Sequence, residues 1–230
     1  MTRSLSFYAV FYLVSLVAMR GCGVAAKILL ARSITPYEYG LITLFVIALP
    51  GLFQHVTNFC FFDIMGHATE GRKYFGFALM YGLFSTCILA IIFFLFRDAI
   101  FSYLNIPGPL HNFLYCILFL SLISVTLGGV ITGLLRGIRN HSLAASFSAA
   151  PSVLRVVFIL TAVYVFQISG FPIIIILFAL PPLVALMPVI VLKYRTIVSA
   201  LRSVAYPSKE ILIFGFSFFI VNSLYCTKKI

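Results

Sequence analysis

Apolar stretches long enough to cross the ~30 Å hydrocarbon core of a bilayer as helix follow one another along nearly the whole chain. They leave few folds open. Hydrocarbon offers no partner to a backbone N–H or C=O, so a crossing segment must be a helix or a strand of a closed barrel. A barrel needs ~10-residue strands of alternating polarity, and unbroken runs such as Ile173 to Leu180 exclude that alternation. The sequence therefore predicts an all-α, polytopic transmembrane helix bundle. Its helices are expected near 7–31, 40–62, 74–96, 113–135, 149–168 and 172–192, with the start of a seventh at 211–226. Residues 1–192 read as one six-helix lobe, 193–210 as a basic cytoplasmic loop, and 211–230 as a truncated seventh span.

Composition agrees with this class. Hydrophobic residues make up 63% of the chain and charged ones 9%, against roughly 25% charged in a soluble domain, so too little polar surface exists to cover a globule in water. Sixteen Lys and Arg against five Asp and Glu give a net charge of +11. A basic balance of that size can signal nucleic-acid binding, but here the cations fall between apolar segments, which excludes it. They instead report orientation. Arg3, Arg72, Lys73, Arg136, Arg139, Lys193, Arg195, Arg202 and Lys209 fall on one side of the alternating spans, and Arg32 and Arg97 on the other. The basic side, with the N-terminus, is expected in the cytoplasm and the protein in the cytoplasmic (inner) membrane. Trp is absent, so tyrosines near helix ends, such as Tyr37, Tyr74, Tyr103 and Tyr194, are left to form the interfacial belt.

The opening segment could be taken for a signal peptide, because Arg3 precedes an apolar run. No small-residue cleavage site follows, and Arg20 stands where a lipoprotein signal ahead of Cys22 would need a small apolar residue, so the segment reads as a retained span. The five cysteines form no CxxC pair and lie mostly in apolar stretches, where they read as packing residues.

Charges inside spans are the candidate functional groups, because a Lys or Arg at the bilayer centre costs about 2.5 to 3.5 kcal/mol. Arg20 and Lys27 lie seven residues apart, within about 20° of one another around a helix, and mark a cationic stripe. Either they line a wet cavity and meet an anion, or Lys27 snorkels to the interface and Arg20 finds a carbonyl. His55 and Asn58, with Gln54, form a polar patch on the second span. Arg155 follows Pro151 by one turn near the expected start of the fifth helix, where it either snorkels outward or points into a cavity mouth. These five residues, Arg20, Lys27, His55, Asn58 and Arg155, are the candidate substrate-binding set. On the fourth span, Ser121, Ser124, Gly128, Gly129, Thr132 and Gly133 suit close helix packing. Acids stay near the connections, and the sign of the intramembrane charge favours an anionic cargo. No credible catalytic constellation, metal-ligand spacing or cofactor motif is present, so no enzyme, metal or cofactor is expected.

The run Arg20-Gly21-Cys22-Gly23, followed by Ala31-Arg32-Ser33-Ile34-Thr35-Pro36-Tyr37-Glu38-Tyr39-Gly40 and later by Gly133-Leu134-Leu135-Arg136-Gly137-Ile138-Arg139-Asn140, resembles the prokaryotic polysaccharide flippases. These are the Wzx-type oligosaccharide-lipid exporters, in the larger group that holds the lipid II flippases and the multidrug and toxin extruders. The resemblance implies the N-terminal lobe of a two-lobe exporter, hence a truncated or partial chain. It further implies movement of a polyprenyl-diphosphate-linked oligosaccharide across the cytoplasmic membrane for polysaccharide biosynthesis. The implied partners are that anionic lipid-linked oligosaccharide, membrane lipids, and glycosyltransferases or the polymerase of the same pathway, with no nucleic acid. Two other readings stand beside it: a cation-coupled multidrug exporter of the same fold, and a non-transporting membrane subunit of a polysaccharide-synthesis complex.

Overall fold

A computed structural model describes residues 5–58, 71–167, 170–202, 206, 209, 210 and 213, with side chains described for all of these except 5–9, 55–58, 71 and 72. Among the described residues there is no strand, and six helical stretches are long and apolar enough to cross a membrane. The protein is an all-α, multi-pass membrane bundle. Its helices are α1 (Leu5–Ser33), α2 (Pro36–Ile42), α3 (Leu49–Asn58), α4 (Phe75–Tyr103), α5 (His111–Gly137), α6 (His141–Leu160), α7 (Phe171–Ala179) and α8 (Pro181–Arg202). A π-helical segment (Thr43–Ala48) joins α2 to α3, and another (Thr161–Val165) extends α6. The expected seventh span lies, apart from Ile213, outside the described residues.

The bundle is built around α5, which touches α3, α4, α6, α7 and α8. Half of its span is buried, against 11% for α1, so α5 is the hub and α1 a rim helix seated along α6. Small and hydroxylated residues suit α5 to that place. Ser124 and Thr132 return their hydroxyl protons to Leu120 and Gly128 carbonyls at 2.6 and 2.7 Å, so neither arrives at a neighbour with an unmet donor. Thr126 pairs with Thr86 of α4 at 2.9 Å, both fully buried. Gly133 is buried as the small-residue spacing leads one to expect, whereas a side chain at Gly128 would meet nothing within 4 Å, so no close approach needs that glycine.

Outward faces carry large apolar side chains that water would not tolerate in such number. Val17, Leu95 and Val191 are 64%, 73% and 75% exposed, and a contiguous surface of this kind marks contact with lipid.

Helix ends differ from expectation, and three of the differences have a clear local reason. The fourth element, α4, runs to Tyr103 instead of stopping at Phe96, because Phe101 is wholly buried against Phe45 and Phe93 in edge-to-face contacts of 5.7 and 5.9 Å. The fifth span begins at His141, eight residues before Ala149, because Asn140 accepts from the Leu143 N–H and caps the helix. Beyond Leu192, α8 continues to Arg202 through a break at Lys193, where φ is −116° and ψ 16°, so the first part of the expected loop is helical.

The connections satisfy the backbone they expose. Pro50 has no N–H to give, and the π register ending with Leu49 N–H on the Leu44 carbonyl sits immediately before it. At the ends of α4 and α5, Asn105 and Arg139 take φ of 52° and 57°, which lets Ile106 and Asn140 N–H reach the Phe101 and Leu135 carbonyls, both at 2.9 Å. These are Schellman closures that meet otherwise orphaned carbonyls. At the start of α2, Thr35 and Glu38 form a capping box: Glu38 Oε2 accepts from Thr35 N–H at 2.9 Å, and Thr35 Oγ1 accepts from Glu38 N–H at 3.4 Å. Pro36 occupies the first turn, where its missing N–H costs nothing, and Tyr37 donates its hydroxyl to the Asn105 carbonyl at 3.3 Å. Replacing Thr35 by Ala should therefore cost about 1 kcal/mol, seen as a lower thermal-unfolding midpoint of the detergent-solubilised protein.

Candidate functional site

The structure divides the three candidate cations by what meets them. Arg155 lies 14 residues into α6, about 21 Å from the helix start. It is therefore deep in the span and not near its mouth, which corrects the expected position and follows from the earlier start of the helix. Its Nε donates to the Phe178 carbonyl at 3.1 Å, and its guanidinium lies 4.6 Å from the centre of the Phe178 ring.

The acceptor explains the arrangement. In a continuous helix the Phe178 carbonyl would receive the N–H of residue 182, but residue 182 is Pro, and Pro181 likewise withholds a donor from Leu177. Helix α7 accordingly ends at Ala179 and α8 begins at Pro181. Arg155 supplies from a neighbouring helix the hydrogen bond that Pro182 removes. Its role is to close a broken transmembrane helix, and its charge is held by a carbonyl and an aromatic face.

Arg20 and Lys27 are placed otherwise. Both are exposed on the outward face of α1, beside the exposed Leu13, Val17 and Val24, while Leu16, Met19, Gly23, Ala26 and Leu30 turn toward the rest of the bundle. Gly23 packs on α6, where an added Cβ would come 3.9 Å from Ser152 Oγ. Arg20 is fifteen residues from the start of α1 at Leu5, about 22 Å along the axis, and Lys27 is six residues before its end at Ser33, about 9 Å. Among the described residues neither has a hydrogen bond or ion pair. The two do not converge with Arg155. His55 and Asn58 belong to α3 by backbone, and their side chains lie outside the described residues.

Acidic groups in and beside the described spans are taken. Glu38 is held in the capping box. Asp98 sits 3.3 Å from Arg97 Nε and 3.8 Å from His111 Nδ1, while Arg97 also donates to Asn112 Oδ1 at 3.1 Å and stacks on Phe94. His111 begins α5, two residues before the expected start at 113. It donates Nε2–H to the Ile106 carbonyl at 2.9 Å, and its ring centre is 4.6 Å from that of Phe101. This cluster clamps the α4–α5 turn and was missed at the sequence level because Arg97 and Asp98 were assigned to a loop. Gly-Pro-Leu ahead of His111, which forms a short 3₁₀ turn, was the available signal.

Two hollows accompany these groups. One of about 620 Å³, lined by Leu44, Phe53, Ile92, Phe93, Phe96 and Tyr103 among others, opens between the π segment, α3 and α4; its nearly wholly apolar wall offers a lipid chain a seat and no chemistry. The other, of about 200 Å³, lies where the N-terminal half of α1 meets the end of α5 and the start of α6.

Comparison of the chain with protein-family models, with curated proteins and with solved structures found no match.

The account of Arg155 makes a specific prediction. Arg155→Gln should lose about 1 to 3 kcal/mol by leaving the Phe178 carbonyl unmet, and Pro182→Ala should restore a main-chain donor. In a double-mutant cycle read by thermal unfolding, the Arg155→Gln cost should shrink by half or more in the Pro182→Ala background; an additive result would refute the role.

Proposed function

We propose that this six-span unit is part of a membrane transporter for an anionic lipid, of the class of polyprenyl-diphosphate-linked oligosaccharides, and that Arg20 and Lys27 meet the diphosphate. The carrying observation is the state of these two cations: exposed, within a span, and unpartnered among the described residues. A position against acyl chains would cost about 2.5 to 3.5 kcal/mol for each. Water and a phosphate-bearing ligand would remove that cost, because charge-assisted hydrogen bonds to phosphate are among the strongest available to Arg and Lys.

The sign of the charge supports the same cargo. Exporters of cations need a carboxylate to hold them, and the described acids at the spans are engaged in a cap and in a turn clamp. The resemblance of the Arg20–Gly23 and Ala31–Gly40 runs to the polysaccharide flippases points in the same direction. The orientation that accompanies this reading puts the basic ends of the spans in the cytoplasm, by the count of nine cations against two, and the protein in the cytoplasmic membrane. Alternating access would then carry the headgroup past Arg20 and Lys27 while the prenyl chain stays in lipid.

Binding of a labelled polyprenyl diphosphate to the chain reconstituted in nanodiscs tests the reading. Arg20→Gln combined with Lys27→Gln should weaken binding at least about tenfold, the effect of roughly 1.4 kcal/mol, without lowering the thermal-unfolding midpoint, since neither residue has a hydrogen bond or ion pair among the described residues. Unchanged binding would reject the assignment, and a lowered midpoint with unchanged binding would recast both residues as structural.

A further inference from the structure

The hollow at the basic end of the bundle has the composition of a headgroup site. It encloses about 200 Å³ and is lined by Tyr12, Ser15 and Leu16 of α1, Arg136 of α5, and His141 and Ser148 of α6, among others. Pockets for drug-sized ligands begin near 300 Å³, so this one suits a small polar group with the first carbons behind it. We propose that it binds the phosphate headgroup of an anionic lipid.

The donors suit that chemistry. Arg136 stands in the last turn of α5 and His141 at the first position of α6, and the turn between them is closed by Ile138 N–H on the Leu134 carbonyl and Asn140 N–H on the Leu135 carbonyl, both at 2.9 Å. That closure fixes the spacing of the two basic groups before any ligand arrives. Tyr12 and Ser15 add hydroxyls with no hydrogen-bond partner among the described residues. Ser148 returns its proton to the Ala144 carbonyl at 2.9 Å, so it contributes shape and an acceptor. The 20-residue α6 also directs the positive end of its backbone dipole at this mouth.

Tyr12 and Ser15 lie seven and ten residues into α1, about 10 and 15 Å along the axis, in the half of the helix that faces the basic end of the bundle. Leu16 and Met19 make the inner wall apolar, as the glycerol or first isoprene of a lipid requires. The assignment stands on this cavity and goes beyond the transport reading, since it uses neither Arg20 nor Lys27. A phospholipid and a polyprenyl phosphate present the same group, and the experiment separates them.

Native mass spectrometry of the full chain, offered equal amounts of phosphatidylglycerol, phosphatidylcholine and a polyprenyl phosphate in detergent, tests the proposal. At least one of the two anionic lipids should be retained about fivefold or more over the zwitterionic one; preference for the polyprenyl phosphate identifies it as the source, and equal retention of both anionic lipids identifies the shared headgroup. Arg136→Gln with His141→Gln should cut retention about tenfold. Ser148→Leu, which fills the hollow and leaves every charge in place, should do the same with an unfolding midpoint near that of the parent. Arg20→Gln with Lys27→Gln should leave phosphatidylglycerol retention unchanged. Equal retention of phosphatidylcholine, wild-type retention in the Ser148→Leu protein, or loss of phosphatidylglycerol in the Arg20/Lys27 variant would each overturn the assignment.

Discussion

In hydrocarbon a polar group keeps its solvation only if the protein supplies it, and this requirement organises the whole bundle. Backbone groups meet it first, by forming helices, and the places where helices fail show the same requirement at work. Proline at position 50 follows a π register, proline at position 182 is answered by Arg155 from another helix, and the ends of α4 and α5 close through Schellman bonds on Asn105 and Arg139. Side-chain hydroxyls follow suit, returning protons to their own helices or, for Thr86 and Thr126, to each other. Among buried described side chains Thr43 and Ser121 keep hydroxyls without a partner, and the structure offers no physical account of them.

Charge is subject to the same rule at greater cost, and this separates structural from functional candidates. Arg155 has its guanidinium solvated by a carbonyl and an aromatic face. Arg97, Asp98 and His111 hold one another at a turn, and Glu38 holds a cap. Arg20 and Lys27 receive no such settlement among the described residues, although they occupy the rim helix with the least burial of the six spans. Groups left in that condition inside a span point toward water or a ligand, and the basic, hydroxyl-lined hollow one helical turn from Arg20 lies on the same helix.

Much of the architecture was legible because hydrophobic length is a coarse signal that survives local detail. Six spans and their order follow from long apolar runs separated by polar connections. Boundaries were harder, since polar residues near a membrane end can continue a helix as readily as stop it: His141 to Ser148 reads as a loop by composition, yet Asn140 caps it into α6. The same slip moved Arg155 toward an interface when it belongs to the interior. Its partner could have been suspected, because Pro181-Pro182 inside an apolar run announces two carbonyls without donors, but which side chain supplies the replacement is decided by how α6 and α7 pack. The Thr35-Pro36-Tyr37-Glu38 run illustrates the converse. Part of a family resemblance, it is also a capping box whose local geometry is a sufficient reason for those residue types.

The functional account requires that the outward face of α1 bearing Arg20 and Lys27 border water, and thiol accessibility in intact membranes measures this directly. In a protein with its five native cysteines replaced, Arg20→Cys and Lys27→Cys should react with a charged, membrane-impermeant methanethiosulfonate, while Leu95→Cys, on the lipid-exposed surface of α4, should not. Reaction at neither α1 position, with both as inert as Leu95→Cys, would contradict the account.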